Sequence, residues 1–322
     1  MSISLDTQFV RTTIDLFENK ADDRSQNDAN NKAREAAVDF LMGSDKAASE
    51  KFTNDPQVGS RWKIVEASLR EALKSLPESQ SGETDLEFSH VKHRGGRSKN
   101  FDFDSVYRHK VTLEQKTKSV EFKFGNSIYD QPQFLSIYAT PAYFITSESQ
   151  PFSEFFYDNY GSSLATLANT KLPERTFYLS KIFGTSRSAH SFFTNLHKYK
   201  TSNDSNKEAL KKISDNAIEG YLKTFENQEN HLDYDAINAM FRNQVTKFFI
   251  SWSYETMSAN VENFTEKDMK ITNQFTLKQN SNGQYNSLVF KNLNENKIEA
   301  LLRWKNHACI LGPAWQVKLQ RS

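Results

Sequence analysis

Apolar residues recur at helical spacing along the first third of the chain and then switch to strict alternation. The spacing predicts helices over residues 9–19 and 30–42, with the polar stretch 21–31 before the second and Gly43 placed to end it. Asn54-Asp55-Pro56 reads as a turn. Ser60 can then cap a helix over 61–76 whose Trp62, Val65, Leu69, Ala72, Leu73 and Leu76 form one stripe. Residues 77–84 read as a loop, 86–92 as a strand and Arg94-Gly95-Gly96-Arg97 as a turn. In Ser119-Val120-Glu121-Phe122-Lys123-Phe124 the period is two, so one strand face is apolar and the other carries Glu121 and Lys123, roughly 7 Å apart. Phe101-Asp102-Phe103-Asp104 alternates likewise. Paired as an antiparallel hairpin, the two runs set an Asp across from Glu121 with Lys123 beside both.

Beyond residue 150 the pattern is mostly helical: 151–167 is rich in aromatics, and 186–199 and 205–228 follow. Residues 234–255 hold Ile237, Phe241, Val245, Phe248, Phe249 and Trp252 at core spacing, which predicts another helix packed through its aromatics rather than a base-stacking platform. Strands are expected over 275–277, 285–290, 298–304 and 307–319. Four consecutive segments result: an N-terminal helical region (1–59), a core with the hairpin (60–150), a helical region (151–264) and a C-terminal β segment (265–322) completing the same globular unit.

Composition narrows the class. The chain has 322 residues, 25% charged and 13% aromatic with 25 Phe, a globular balance large enough for a substantial core. The single cysteine, Cys309, excludes an intramolecular disulfide framework and any Cys-rich zinc spacing, and fits a reducing compartment. No apolar run is long enough to cross a bilayer, and the first residues lack the pattern of a signal peptide. A cytoplasmic or nuclear protein with no membrane partner is therefore expected. The net charge of +1 conceals a division: residues 1–60 carry 7 Lys/Arg against 11 Asp/Glu, residues 90–123 carry 9 against 4, and residues 297–322 carry 5 against 1. A positive field around an acidic site suits a polyanionic substrate, although a basic segment is as often a solvated face.

The order Asp, hairpin gap, Glu-x-Lys in an apolar strand resembles the PD-(D/E)xK nuclease superfamily over about residues 61 to 145. Other Glu-x-Lys triplets, at Glu18, Glu114 and Glu295, lie in polar contexts with no acidic strand before them. Asn100-Phe101 stands where the superfamily's Pro would be, and both Asp102 and Asp104 fit its Asp. The resemblance implies an α/β (α+β) fold, a restriction-endonuclease-like mixed sheet flanked by helices. It also implies a Mg²⁺-dependent nuclease, with Mn²⁺ able to substitute. Asp102 or Asp104 and Glu121 would hold the metal, Lys123 would orient the attacking water and stabilise the transition state, and Gln133 would support the site from the start of a following helix. A helix Glu often completes the metal shell in such enzymes. Glu71 is the candidate, since Glu66 and Glu71 cannot both face one site.

Arg94, Gly95, Gly96, Arg97 and Lys99 are the candidate substrate grip: glycine amides can approach a phosphate and the flanking cations can hold it. Their order is neither a P-loop nor a dinucleotide fingerprint, so no nucleotide cofactor is expected. DNA is favoured over RNA as partner, a homodimer is left open, and a non-cleaving nucleic-acid-binding or scaffold protein on the same fold is the main alternative. Arg303-Trp304-Lys305-Asn306-His307 and the Trp315 segment either contact nucleic acid or close the sheet, with the latter preferred.

Overall fold

The hairpin forms the middle of a five-stranded mixed sheet. The structure, a computed structural model, describes residues 4–20, 24–81, 83–94, 101–125, 127–129, 133–134, 141–181, 190–226, 231–304, 309 and 312–320. Among these it is a mixed α/β protein with two sheets and ten α-helices. The chain divides into two units, one made by residues 1–131 and 243–265, the other by 132–242 and 266–322. Among the described residues, no helix is long and apolar enough to cross a membrane.

In the first unit four helices precede the sheet: α1 (Thr7–Glu18), α2 (Arg24–Met42), α3 (Lys46–Thr53) and α4 (Gly59–Ser81). Each start has a local cause. Asp6 accepts the Phe9 N–H at 2.8 Å ahead of α1 and Asp45 accepts from Ala47 and Ala48 ahead of α3. Asp55 accepts from Gln57 and Val58 just ahead of α4. These bonds satisfy donors that a helix start would otherwise orphan. The expected stripe of α4, from Trp62 to Leu76, is buried throughout. It packs with Val10, Ile14 and Phe17 of α1 and Val38 and Leu41 of α2 in one core. α4 also runs through Pro77, where a loop was expected. Proline cannot donate to the carbonyl four residues back, and that carbonyl, of Leu73, accepts the Tyr107 hydroxyl at 2.7 Å instead.

The sheet runs β1 (Leu86–His93), β2 (Phe103–His109), β3 (Gln115–Phe124), β5 (Phe248–Ser253), β6 (Ser258–Glu262) in that spatial order. β1 to β3 form an antiparallel meander, β5 lies parallel to β3, and β6 is antiparallel to β5. Phe103, Tyr107, Val120, Phe122, Phe248, Ile250 and Trp252 join the helical core on one face. The residues between them, Glu121 and Lys123 included, therefore belong to the other face.

The second unit has β4 (Gln133–Phe134) and the helices α5 (Phe152–Leu167), α6 (Arg175–Lys181), α7 (Ser191–Ser202), α8 (Asp204–Lys223), α9 (Tyr234–Arg242) and α10 (Glu266–Met269). Its antiparallel sheet also holds β7 (Ile271–Gln279), β8 (Tyr285–Asn292), β9 (Lys297–Arg303) and β10 (Ala314–Gln320), in the order β4-β10-β9-β8-β7.

Three expectations change. The helix expected over 234–255 stops at Arg242, and residues 248–253 are strand β5, buried at every position. A strand buried at every position need not alternate, and Phe248-Phe249-Ile250 reads as an unbroken apolar run. Gln133 lies not at a helix start but in β4, paired with Val317 of β10. The segments also divide differently: the N-terminal helices share a unit with the hairpin, and residues 266–322 belong to the other unit.

Candidate functional site

The register of β2 on β3 pairs Phe103 with Val120 and Asp104 with Ser119, so Asp102 falls one step further, at the level of Glu121. Its backbone N–H donates to the Val120 carbonyl at 3.0 Å. Its Oδ2 accepts the Phe122 N–H at 2.8 Å. Asp102 thus continues the ladder past the end of β2 through its side chain. Asp104, two residues on and on the same face, accepts from Arg94 Nε at 2.6 Å. Of the two candidate aspartates, Asp102 is the one beside Glu121.

Glu121 is buried, and each of its carboxylate oxygens meets an ammonium: Oε1 that of Lys123, Oε2 that of Lys247. Lys247 immediately precedes β5, which pairs Glu121 with Phe249. Its side chain is 2% exposed, and Nζ lies 5.1 Å from the Phe249 ring centroid. Burial opposes the ionisation of Glu121 most strongly, yet the two lysines together hold its carboxyl below the ordinary range. Burial also lowers the Lys247 ammonium, against the pull of Glu121. Asp102 responds in the opposite sense. Burial first, then the charges of Glu121 and Glu35, push its carboxyl up to about 7, although Lys123 and the Phe122 N–H work the other way.

A carboxylate does reach this corner from a helix, and it is Glu35 of α2. Its Oε2 lies 3.4 Å from His93 Nε2, and Asp39 of the same helix accepts the His93 N–H at 2.9 Å. The hydrogen bond to Glu35 raises the imidazole pKa, helped by the charges of Asp39 and Asp102. Glu71 is exposed on α4, whose buried stripe covers the apolar side of the sheet, and it is not among the groups that act on Asp102 or Glu121. Glu66 pairs with Arg70 at 2.7 Å on the same helix. On β5, Ser251 is paired with Lys123 across the strands; its hydroxyl is buried and has no hydrogen-bond partner among the described residues.

Gly95, Gly96, Arg97 and Lys99 lie outside the described residues, as does Asp130 ahead of Gln133. For Gln133 only its backbone position in β4 is described. Cys309 is buried with its thiol pushed up by desolvation, which leaves it inert as a nucleophile. The two groups that sequence reasoning missed are Lys247 and Glu35. Lys247 was hidden inside the misread helix; the aromatic and β-branched run Phe248-Phe249-Ile250 just after it was the available signal for a strand. Glu35 carries no such signal, because its place depends on how α2 meets the end of β1.

No protein-family model matches the sequence, and no curated protein and no solved structure matches it either.

Proposed function

We propose that this chain is a metal-dependent phosphodiester hydrolase acting on nucleic acid, DNA before RNA, with a restriction-endonuclease-like core in its first unit. The observation that carries the reading is the meeting of Asp102, Glu121 and Lys123 on the polar face of a meander backed by a parallel strand. The donor set fits Mg²⁺ or Mn²⁺, which prefer carboxylate oxygens. Burial first, then the charges of Glu121 and Glu35, raise the Asp102 carboxyl to about 7, so a bound cation would favour its ionised form.

Asp102 and Glu121 would hold the ion, which when bound would lower the pKa of a water and neutralise charge on the scissile phosphate. Lys123 places an ammonium where it can orient the attacking water and stabilise the negative charge of the transition state. Lys247, with no comparable access to solvent, keeps Glu121 ionised and its strand position fixed.

One observation favours the second reading, a nucleic-acid-binding protein without turnover. Both Glu121 oxygens already have a lysine partner, and among the described residues no group of three His, Cys, Asp or Glu is arranged to hold a metal. In the enzyme, a cation would share Glu121 with these ammoniums or displace one of them. Incubation with plasmid, linear DNA and RNA in Mg²⁺, Mn²⁺ or EDTA separates the two. Metal-dependent cutting that Glu121→Gln and Lys123→Met abolish supports the hydrolase; binding with no cutting in any metal supports the other.

A further inference from the structure

The second unit contains a basic pocket that the candidate site does not use. It is formed where α8 crosses β8 beside the end of α7, and has a volume of about 310 Å³. Lys207, Lys211, Ser214, Asp215 and Ile218 line it from α8. Those positions recur at the spacing of one helix face. Toward the C-terminal end that face is core: Ser214 and Ile218 are 3% and 4% exposed. Toward the N-terminal end the same face turns to lysine, and Lys207 and Lys211 are exposed at the mouth of the pocket.

Lys200 of α7 and Arg303 at the end of β9 line the same pocket. The pairing of Ser287 with Leu301, continued by two residues, sets Tyr285 opposite Arg303 across the strand ends. Four cations thus come from three elements, against one carboxylate, Asp215, which lies 3.4 Å from Lys211. The rim is ordered by its own hydrogen bonds. Asn280 Oδ1 accepts the N–H groups of Asn282 and Gln284 around the turn between β7 and β8, where Gly283 has φ +77°. Beside it, the Tyr285 ring is partly exposed, with Lys223 Nζ 5.5 Å from its centroid.

We propose that this pocket binds the phosphate backbone of a single-stranded nucleic acid. The volume is at the small end of ligand pockets, about 300 Å³, and suits one nucleotide rather than an extended duplex. Cations spread along a groove track a backbone, whereas an aromatic ring and carboxamides suit an unpaired base. The assignment stands on the second unit alone and does not depend on the metal reading of Glu121.

The test is fluorescence anisotropy of a labelled single-stranded oligonucleotide with the full chain in EDTA, across a salt series. Lys200→Gln, Lys207→Gln and Lys211→Gln, combined, should lower the slope of log K against log salt by about 2, at about 0.7 per lost contact. Affinity at fixed moderate salt should fall at least about tenfold. Should the triple variant not fold, Lys207→Glu alone must still weaken binding. An unchanged slope in a folded variant, or no binding by the parent chain, overturns the proposal. Displacement of the strand by a polyglutamate peptide as effective as an unlabelled oligonucleotide also overturns it. Lysine-dependent binding of adenosine monophosphate or inorganic phosphate without binding of the strand rejects the strand in favour of a small phosphate ligand.

Discussion

Replacing Asp102 by Asn should stabilise the first unit and abolish any metal-dependent activity. The carboxyl titrates near 3.8 in the unfolded chain and at about 7 in the folded one. Between those values the folded state binds more protons than the unfolded state, so stability falls as pH rises from about 4 to 7, and the penalty is complete above that. At about 1.4 kcal/mol per pH unit the separation sets a ceiling near 4 kcal/mol. Asp102 retains partial exposure, and solvent screens its repulsion by Glu121 and Glu35, so about 2 kcal/mol is expected. Asparagine keeps an oxygen for the Phe122 N–H and carries no charge.

Each unit holds two of the four tryptophans, Trp62 and Trp252 in one and Trp304 and Trp315 in the other, so total fluorescence would average the two. Hydrogen exchange of peptides from β2 and β3, corrected for the intrinsic rate, isolates the first unit. The parent should lose nearly all of that roughly 2 kcal/mol relative to Asp102→Asn between about pH 4 and pH 8. A constant difference across that range would refute the electrostatic account of the site.

Glu121→Ala should both inactivate the chain and destabilise it by about 3 kcal/mol or more, because Lys247 would be left buried without its carboxylate; urea unfolding and a cleavage assay check this. Lys123→Met should remove activity at a smaller cost in stability. Tyr107→Phe strips the Leu73 carbonyl of its donor and should cost about 1–2 kcal/mol. In a Pro77→Ala background, where a backbone N–H is restored, a double-mutant cycle should show a smaller cost. Neutralising Arg94, Arg97 and Lys99 together should reduce the salt dependence of duplex binding by up to about 2.7, at about 0.9 per phosphate contact; an unchanged slope would make the cluster a solvated surface.

The hairpin was legible because alternation determines which side chains share a strand face, and Phe103 and Val120, paired across the strands, are both buried on the core face. The α4 stripe was legible for the analogous helical reason. Pro77 misled because the compensating donor, Tyr107, arrives from a distant strand. The second helix was expected from residue 30, after a polar stretch, whereas α2 starts at Arg24 within that stretch. The helical spacing of Phe241, Val245, Phe248 and Trp252 was a coincidence within a chain segment that changes from helix to buried strand. That single misreading concealed both Lys247 and the strand beside Glu121, because the apolar run Phe248-Phe249-Ile250 fits a helix stripe as well as a buried strand.

The parallel partner of β3 arrives late in the chain. Glu121 and Lys123 leave the ribosome long before Lys247, with residues 132–242, the whole first segment of the second unit, made in between. Until β5 emerges, the edge of β3 lacks its neighbour and Glu121 lacks one of its two counter-ions. The charge cluster is therefore a product of long-range closure, which is slow relative to the formation of local helices and hairpins. During synthesis the meander can form while the site remains incomplete, so a chain arrested before residue 247 would carry the motif without the cluster.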